Sequence, residues 1–207
     1  MFLFNEPTVA DIRNYLTYQS RKSLSYRDRG VTRTATVPDD FILDHHRVQL
    51  GKGEETWQRA RRALLTWRMF KTDFTRLCWP YKRIEQGAIV GVLALHYGFW
   101  SLNATRIVYV VDEDVPVRRY GFAYGTLGTH ALSGEERFLV EWLADDTVWY
   151  DIYTLSQPRH WAARYGYPWL RRLQKRFARL SMSAMVAAVK APTMTVTADE
   201  VEEQEIQ

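Results

Sequence analysis

The chain has 207 residues, 46% of them hydrophobic, which is enough for one core, so we expect a single domain over residues 1–190. Its one cysteine, Cys78, excludes an internal disulfide and is typical of a reducing compartment, which favours a cytoplasmic protein. The net charge is +4, but residues 191–207 hold five acidic and no basic side chains, which leaves about +9 on the rest. We expect these last residues to form a disordered acidic tail.

The first 40 residues predict a helix and a loop ahead of the main body of the domain. Pro7 precedes apolar residues at helical spacing, and Thr8 and Asp11 form a capping pair, so a helix should run to about Ser20. Residues 21–40 are polar and predict a loop. A strand is expected over residues 41–50, followed by a break at residues 51–53 and a helix from Glu54.

Residues 75–155 show the alternation and turn spacing of consecutive β-strands. Six strands are predicted there, over residues 75–79, 88–97, 105–113, 119–127, 135–142 and 147–155. With residues 41–50 they make seven, and the short connections require mostly antiparallel neighbours. A basic amphipathic helix is then expected over residues 159–189. The pattern therefore predicts an α+β fold in which a curved seven-stranded antiparallel sheet wraps around a long C-terminal helix.

Several sequence blocks resemble an uncharacterised domain-of-unknown-function family of bacteria and plants, within the START and birch-pollen-allergen-like helix-grip superfamily. The resemblance rests on residues 44–48, 50–53, 66–70, 106–109, 112–113, 121–127, His130, 134–138, 149–152 and 156–160. It spans about residues 1–189 and implies the helix-grip fold with a cavity between sheet and helix. It also implies a non-enzymatic binder of an apolar or amphipathic small molecule or lipid, since looser relatives mostly bind such molecules and a minority are cyclases or hydrolases.

Strand parity identifies the side chains expected to face such a cavity, because alternate residues of a strand lie on opposite faces. For residues 119–127, the pattern leaves open which face points inward. The ligand-binding candidates are His46, Tyr109, Tyr124, Glu136, Phe138 and Tyr150. Each has a plain structural alternative, in which tyrosine hydroxyls bond to the backbone and the glutamate pairs with an arginine.

Two other functions are compatible with the sequence. His46 and Glu136 would be the acid and base of a cyclase-like or hydrolase-like enzyme if both reached one pocket. The basic side chains of the last helix would suit an anionic membrane or a nucleic acid: Arg171, Arg172, Lys175, Arg176 and Arg179. We prefer to interpret them as a solvated outer face, so a nucleic acid is not expected, whereas peripheral membrane contact stays open.

The sequence predicts neither a metal nor a cofactor. His45 and His46 are adjacent on a strand and point to opposite faces, and no other cluster has the spacing of metal ligands. No catalytic residue is assigned on this basis, and the oligomeric state stays open.

Overall fold

The computed structural model describes residues 1–34, 37–79, 83–96, 98–128, 132–158 and 167–191. The helices are α1 (Val9–Ser20), α2 (Val31–Thr34), α3 (Gly53–Leu65), a 3-10 helix (Arg68–Phe70) and α4 (Tyr167–Lys190). The strands are β1 (Phe2–Leu3), β2 (Ile42–Lys52), β3 (Thr75–Leu77), β4 (Ile89–His96), β5 (Phe99–Glu113), β6 (Arg118–Thr126), β7 (Leu132–Trp142) and β8 (Thr147–Pro158). The predicted first turns of the last helix, residues 159–166, and nearly all of the acidic tail, residues 192–207, lie outside the described residues.

The strands form one antiparallel sheet in the order β2-β8-β7-β6-β5-β4-β3, and β1 adds to it by pairing with β5. Short connections join β3 to β8 into a meander, whereas β2 reaches the far edge and pairs with β8. Helices α3 and α4 pack on one face of this curled sheet. The predicted helix-grip fold is therefore confirmed, and β1 is the one strand of the sheet that the sequence did not predict.

Local sequence explains where the first helices begin. The Thr8 hydroxyl accepts a hydrogen bond from the Asp11 amide, and the Asp11 carboxylate accepts one from the Thr8 amide, so the predicted capping box is present. Gly53 has a φ of +80°, a conformation that glycine adopts readily, and helix α3 begins there. Glu54 and Glu55 then occupy the first turn, where the helix dipole favours acids.

The inner face of the sheet carries an aromatic core under the two long helices. Phe122, Phe138 and Tyr150 are fully buried there against side chains of α3 and α4. Strand β6 therefore points its aromatic residues inward. Its small residues point outward, and there the Tyr26 hydroxyl lies only 2.3 Å from where a Cβ on Gly125 would be.

A β-bulge in β5 overturns the predicted orientation of Tyr109. Ile107 pairs with Tyr124, but Tyr109 pairs with Ala123, so Val108 is an extra residue and the parity changes after it. Tyr109 consequently lies on the outer face, where its hydroxyl is 2.8 Å from that of Thr32. The prediction that Tyr109 lines the inner cavity is wrong for this reason.

Residues 24–34 cross the outer face, where the buried carboxylate of Glu135 is one of their anchors, beside hydrogen bonds of Ser25 to Thr126 and Ser133. The Glu135 side chain, 1% exposed, accepts hydrogen bonds from the Tyr26 hydroxyl at 2.6 Å and from the Gly30 and Thr32 amides at 2.9 and 3.0 Å. The Thr32 hydroxyl donates a fourth. The sequence predicts a loop over residues 21–40. These residues contain a short helix, α2, and residues 24–34 pack on the outer face of the sheet. None of the described helices is long and apolar enough to span a membrane.

Candidate functional site

A cavity of about 200 Å³ lies between the inner face of the sheet and the first half of α4. The segment after the 3-10 helix closes it on one side. Its walls are mainly aromatic and aliphatic: Phe70, Phe74, Tyr124, Trp169, Leu173 and Phe177. Because protein interiors are close-packed, a space of this size next to fully buried rings is a feature that needs an explanation.

Glu136 is the acidic group that lines this cavity with its side chain on the inner face. Its carboxylate accepts hydrogen bonds from the Tyr124 hydroxyl at 2.6 Å and from the Thr154 hydroxyl at 2.8 Å. Burial raises the pKa of this carboxyl, although the two hydrogen bonds act in the opposite direction. Both donors are neutral, so they orient the carboxylate without balancing its charge.

A second polar group lines the cavity at the β4–β5 hairpin. His96 Nε2 lies 2.6 Å from Ser101 Oγ, and Asn103 Nδ2 donates to the same oxygen at 3.1 Å. The Ser101 hydroxyl has one proton and two lone pairs, so it can donate to His96 Nε2 or accept from it, and the contact does not fix whether the ring proton is on Nε2 or Nδ1. That Nδ1 is buried without a hydrogen-bond partner among the described residues. Burial, and secondarily Arg176, lower the pKa of His96, which favours the neutral ring.

Only two of the six predicted ligand-binding residues line the cavity, namely Tyr124 and Glu136. Phe138 and Tyr150 are completely buried in the core beside it, and the Tyr150 hydroxyl lies 2.9 Å from Ser181 Oγ of α4. His46 lies on the edge strand β2, on the same face of the sheet, and pairs with Ile152 of β8. It does not line the cavity. The structure therefore does not bring His46 and Glu136 into one pocket.

The five basic residues of α4 divide into two groups. Arg171 forms a two-pronged ion pair with Asp44 of β2, in which Nη2 and Oδ1 are 2.5 Å apart. Arg176 pairs with Asp73 at 2.6 Å and lies over the ring of Phe74. The remaining three are exposed: Arg172, Lys175 and Arg179. Part of the basic surface predicted for this helix is thus used within the fold.

The sequence prediction missed the polar group at the β4–β5 hairpin. The sequence placed the start of the strand at Thr105, whereas β5 begins at Phe99 because Gly98, with a φ of +98°, permits a tight turn after His96. Ser101 and Asn103 share the parity of Thr105, so extending the alternation backwards would have found them. The described residues contain no group of three or more His, Cys, Asp or Glu side chains able to hold a metal ion.

Because the pKa of Glu136 is raised in the folded protein, the free energy of unfolding should depend on pH. We expect Glu136→Gln to stabilise the protein by on the order of 1 kcal/mol at pH 8 and to have little effect near pH 4. The folded-state pKa is raised, so only the unfolded chain loses its proton as the pH passes the ordinary value of 4.5, and wild-type stability falls until the folded-state pKa is reached.

Urea unfolding of both proteins between pH 4 and pH 8 measures this difference. Glu85→Gln is the control, since it removes the same charge from an exposed position. A stabilisation by Glu136→Gln that does not depend on pH would contradict the assignment of a half-buried carboxyl without a counter-charge.

Comparison with known proteins identifies the relatives of this chain. A family model for a domain of unknown function, DUF1990, matches residues 25–184. A UPF0548 protein of Deinococcus radiodurans is 36% identical over 200 residues, covering 91% of this chain and 98% of that protein. A UPF0548 protein of Dictyostelium discoideum is 32% identical over 208 residues, covering 91% and 96%.

Among solved structures, the di-domain ARO/CYC BexL from the BE-7585A biosynthetic pathway is similar with a TM-score of 0.50. The similarity covers 75% of this chain and 52% of that protein at 10% sequence identity. At this identity the likeness shows a common fold and nothing about the activity of this chain.

Proposed function

The chain belongs to the DUF1990 family, and from that starting point we propose that it binds a small, mostly apolar molecule in the cavity under helix α4. The observation that carries the proposal is the cavity itself, about 200 Å³ with aromatic walls and a few polar groups. Pockets of this composition are typical of small-molecule sites, in which apolar walls supply affinity and sparse polar groups fix orientation.

The cavity volume limits the size of the ligand. An apolar cavity of about 150 Å³ holds a benzene molecule, and pockets for drug-sized molecules measure roughly 300–1,000 Å³. The present cavity of about 200 Å³ therefore suits one aromatic ring with a short substituent. A complete phospholipid would exceed this volume, so we propose a small amphipathic molecule as the ligand.

Binding is preferred over the two alternative functions for specific reasons. Catalysis by His46 and Glu136 requires both groups at one substrate, and only Glu136 contacts the cavity. A role as an adaptor on anionic surfaces would use the basic side chains of α4, of which Arg171 and Arg176 already pair with Asp44 and Asp73. The adaptor alternative does not account for the cavity, and the enzymatic alternative lacks His46 there.

Filling the cavity should weaken binding. Ala94 lines the cavity, so Ala94→Phe would place a ring in the space that the ligand needs and should weaken binding at least about tenfold. Saturation-transfer NMR with p-cresol as the probe measures this change.

Leu95→Phe is the matched control, because the neighbouring Leu95 points away from the cavity and is 41% exposed. It should bind p-cresol as the wild type does. Equal binding by Ala94→Phe, or no saturation transfer to p-cresol in the wild type, would contradict the proposed site. Thermal unfolding of both variants verifies that they fold.

A further inference from the structure

Glu136 has an unusual environment for a half-buried carboxylate. It accepts one hydrogen bond on each oxygen, from Tyr124 and Thr154, and forms no ion pair with any of the described residues. The adjacent Glu135 accepts four hydrogen bonds on the other face, two of them from backbone amides. An ionised group that is partly removed from water without a counter-charge is costly, and the Glu136 side chain lies on the inner face of the sheet, where it lines the cavity.

We infer that the ligand carries a positively charged amine, which Glu136 binds in the cavity while the aromatic walls hold the apolar part of the molecule. This inference rests on the proposed function and names the chemical class of its ligand. Each carboxylate oxygen can accept two hydrogen bonds and uses one within the fold. Two acceptor positions therefore remain for the hydrogens of an ammonium group.

The walls of the cavity favour a cation for a second, independent reason. The rings of Phe70 and Phe177 lie 5.3 Å apart, those of Phe70 and Tyr124 lie 6.2 Å apart, and all three line the cavity. Aromatic faces carry partial negative charge and attract a desolvated cation, with Trp and Tyr rings the most effective. Tyr124 contributes to both features, because its hydroxyl donates a hydrogen bond to Glu136 and its ring forms part of the cavity wall.

The basic side chains nearest to the cavity are already engaged. Asp44, Thr154 and Glu136 lie in register on neighbouring strands, and Arg171 pairs with Asp44. Arg176 pairs with Asp73 on the far side, near His96. The other titratable groups that face Glu136 are the phenols of Tyr124 and Tyr150, which are neutral at physiological pH because burial raises the pKa of each. No side chain among these supplies the missing positive charge, so the ligand is the group that would.

A pair of probes of equal size tests the inference. 2-Phenylethylamine is a cation at pH 8, and 2-phenylethanol is its neutral counterpart with the same ring and chain length. Isothermal titration calorimetry of the wild type should show that the amine binds at least about tenfold more tightly than the alcohol. Glu136→Gln should weaken amine binding by at least about tenfold and leave alcohol binding within about threefold.

The outcomes separate this inference from the proposed function. If both probes bind the wild type equally, or if the alcohol binds more tightly, the cavity binds ligands but the amine inference is wrong. If Glu136→Gln weakens both probes equally, the carboxylate does not recognise the charge and the inference is also wrong. If neither probe binds the wild type and p-cresol does not bind either, both the amine inference and the proposed function are wrong.

Discussion

Replacing Glu135 with alanine should lower the free energy of unfolding by about 3–5 kcal/mol. The substitution removes four hydrogen bonds at once and leaves the Gly30 and Thr32 amides and the Tyr26 hydroxyl buried without their acceptor. Each buried donor that loses its partner costs about 1–3 kcal/mol. The segment over residues 24–34 should therefore detach from the outer face before the sheet itself unfolds.

Urea unfolding gives the size of the loss, and limited trypsin digestion shows where the chain opens. Arg27, Arg29 and Arg33 lie in the detached segment and should become cleavage sites in the variant. Glu141→Ala is the matched control, because Glu141 lies on the same face of the same strand but binds the more exposed side chains of Arg47 and Arg119 and no backbone amide of residues 24–34. Its loss should cost under about 1 kcal/mol. Equal effects of the two substitutions would contradict the anchoring role of Glu135.

Phe138→Ala should also destabilise the protein by about 3–5 kcal/mol. The ring of Phe138 is fully buried, and its centre lies 5.3 to 5.6 Å from those of Phe70, Phe122 and Tyr124. Removing it forfeits its burial and leaves a void beneath the cavity, because neighbouring rings held by the sheet and by α4 relax only in part. The same substitution should therefore enlarge the cavity as well as weaken the fold.

The unfolding midpoint in urea, at an unchanged dependence on urea concentration, measures the loss. Phe2→Ala is the control, since Phe2 is likewise an aromatic residue next to the cavity but is 60% exposed and contacts the Phe99 ring edge-on. It should cost under about 1 kcal/mol. A loss below about 1.5 kcal/mol for Phe138→Ala would mean that the core around the cavity collapses onto the vacated space.

Glu135 and Glu136 show how two identical neighbours acquire different roles. Because side chains alternate along β7, one carboxylate meets the backbone amides of the outer segment and the other meets the cavity. Parity in the sequence placed Glu136 inside correctly. The sequence contained no indication that Glu135 would anchor residues 24–34, since that contact joins positions more than 100 residues apart.

The sequence by itself determined the order of the main elements, seven strands of the sheet and the faces of most strands, but not β1, α2 or the 3-10 helix. Capping residues, glycine breaks and residue alternation are local signals, so they identified helix α1, the start of α3 and the inward aromatic residues of β7 and β8. Only the tertiary structure decided which polar groups meet at the cavity. The bulge at Val108 turned Tyr109 outward, the hairpin at Gly98 brought His96 to Ser101, and the edge position of β2 kept His46 away from Glu136. The bulge and the edge position depend on how strands pair, and local residue patterns do not encode the register of such pairs. The hairpin is local, and extending the alternation of β5 backwards would have found it.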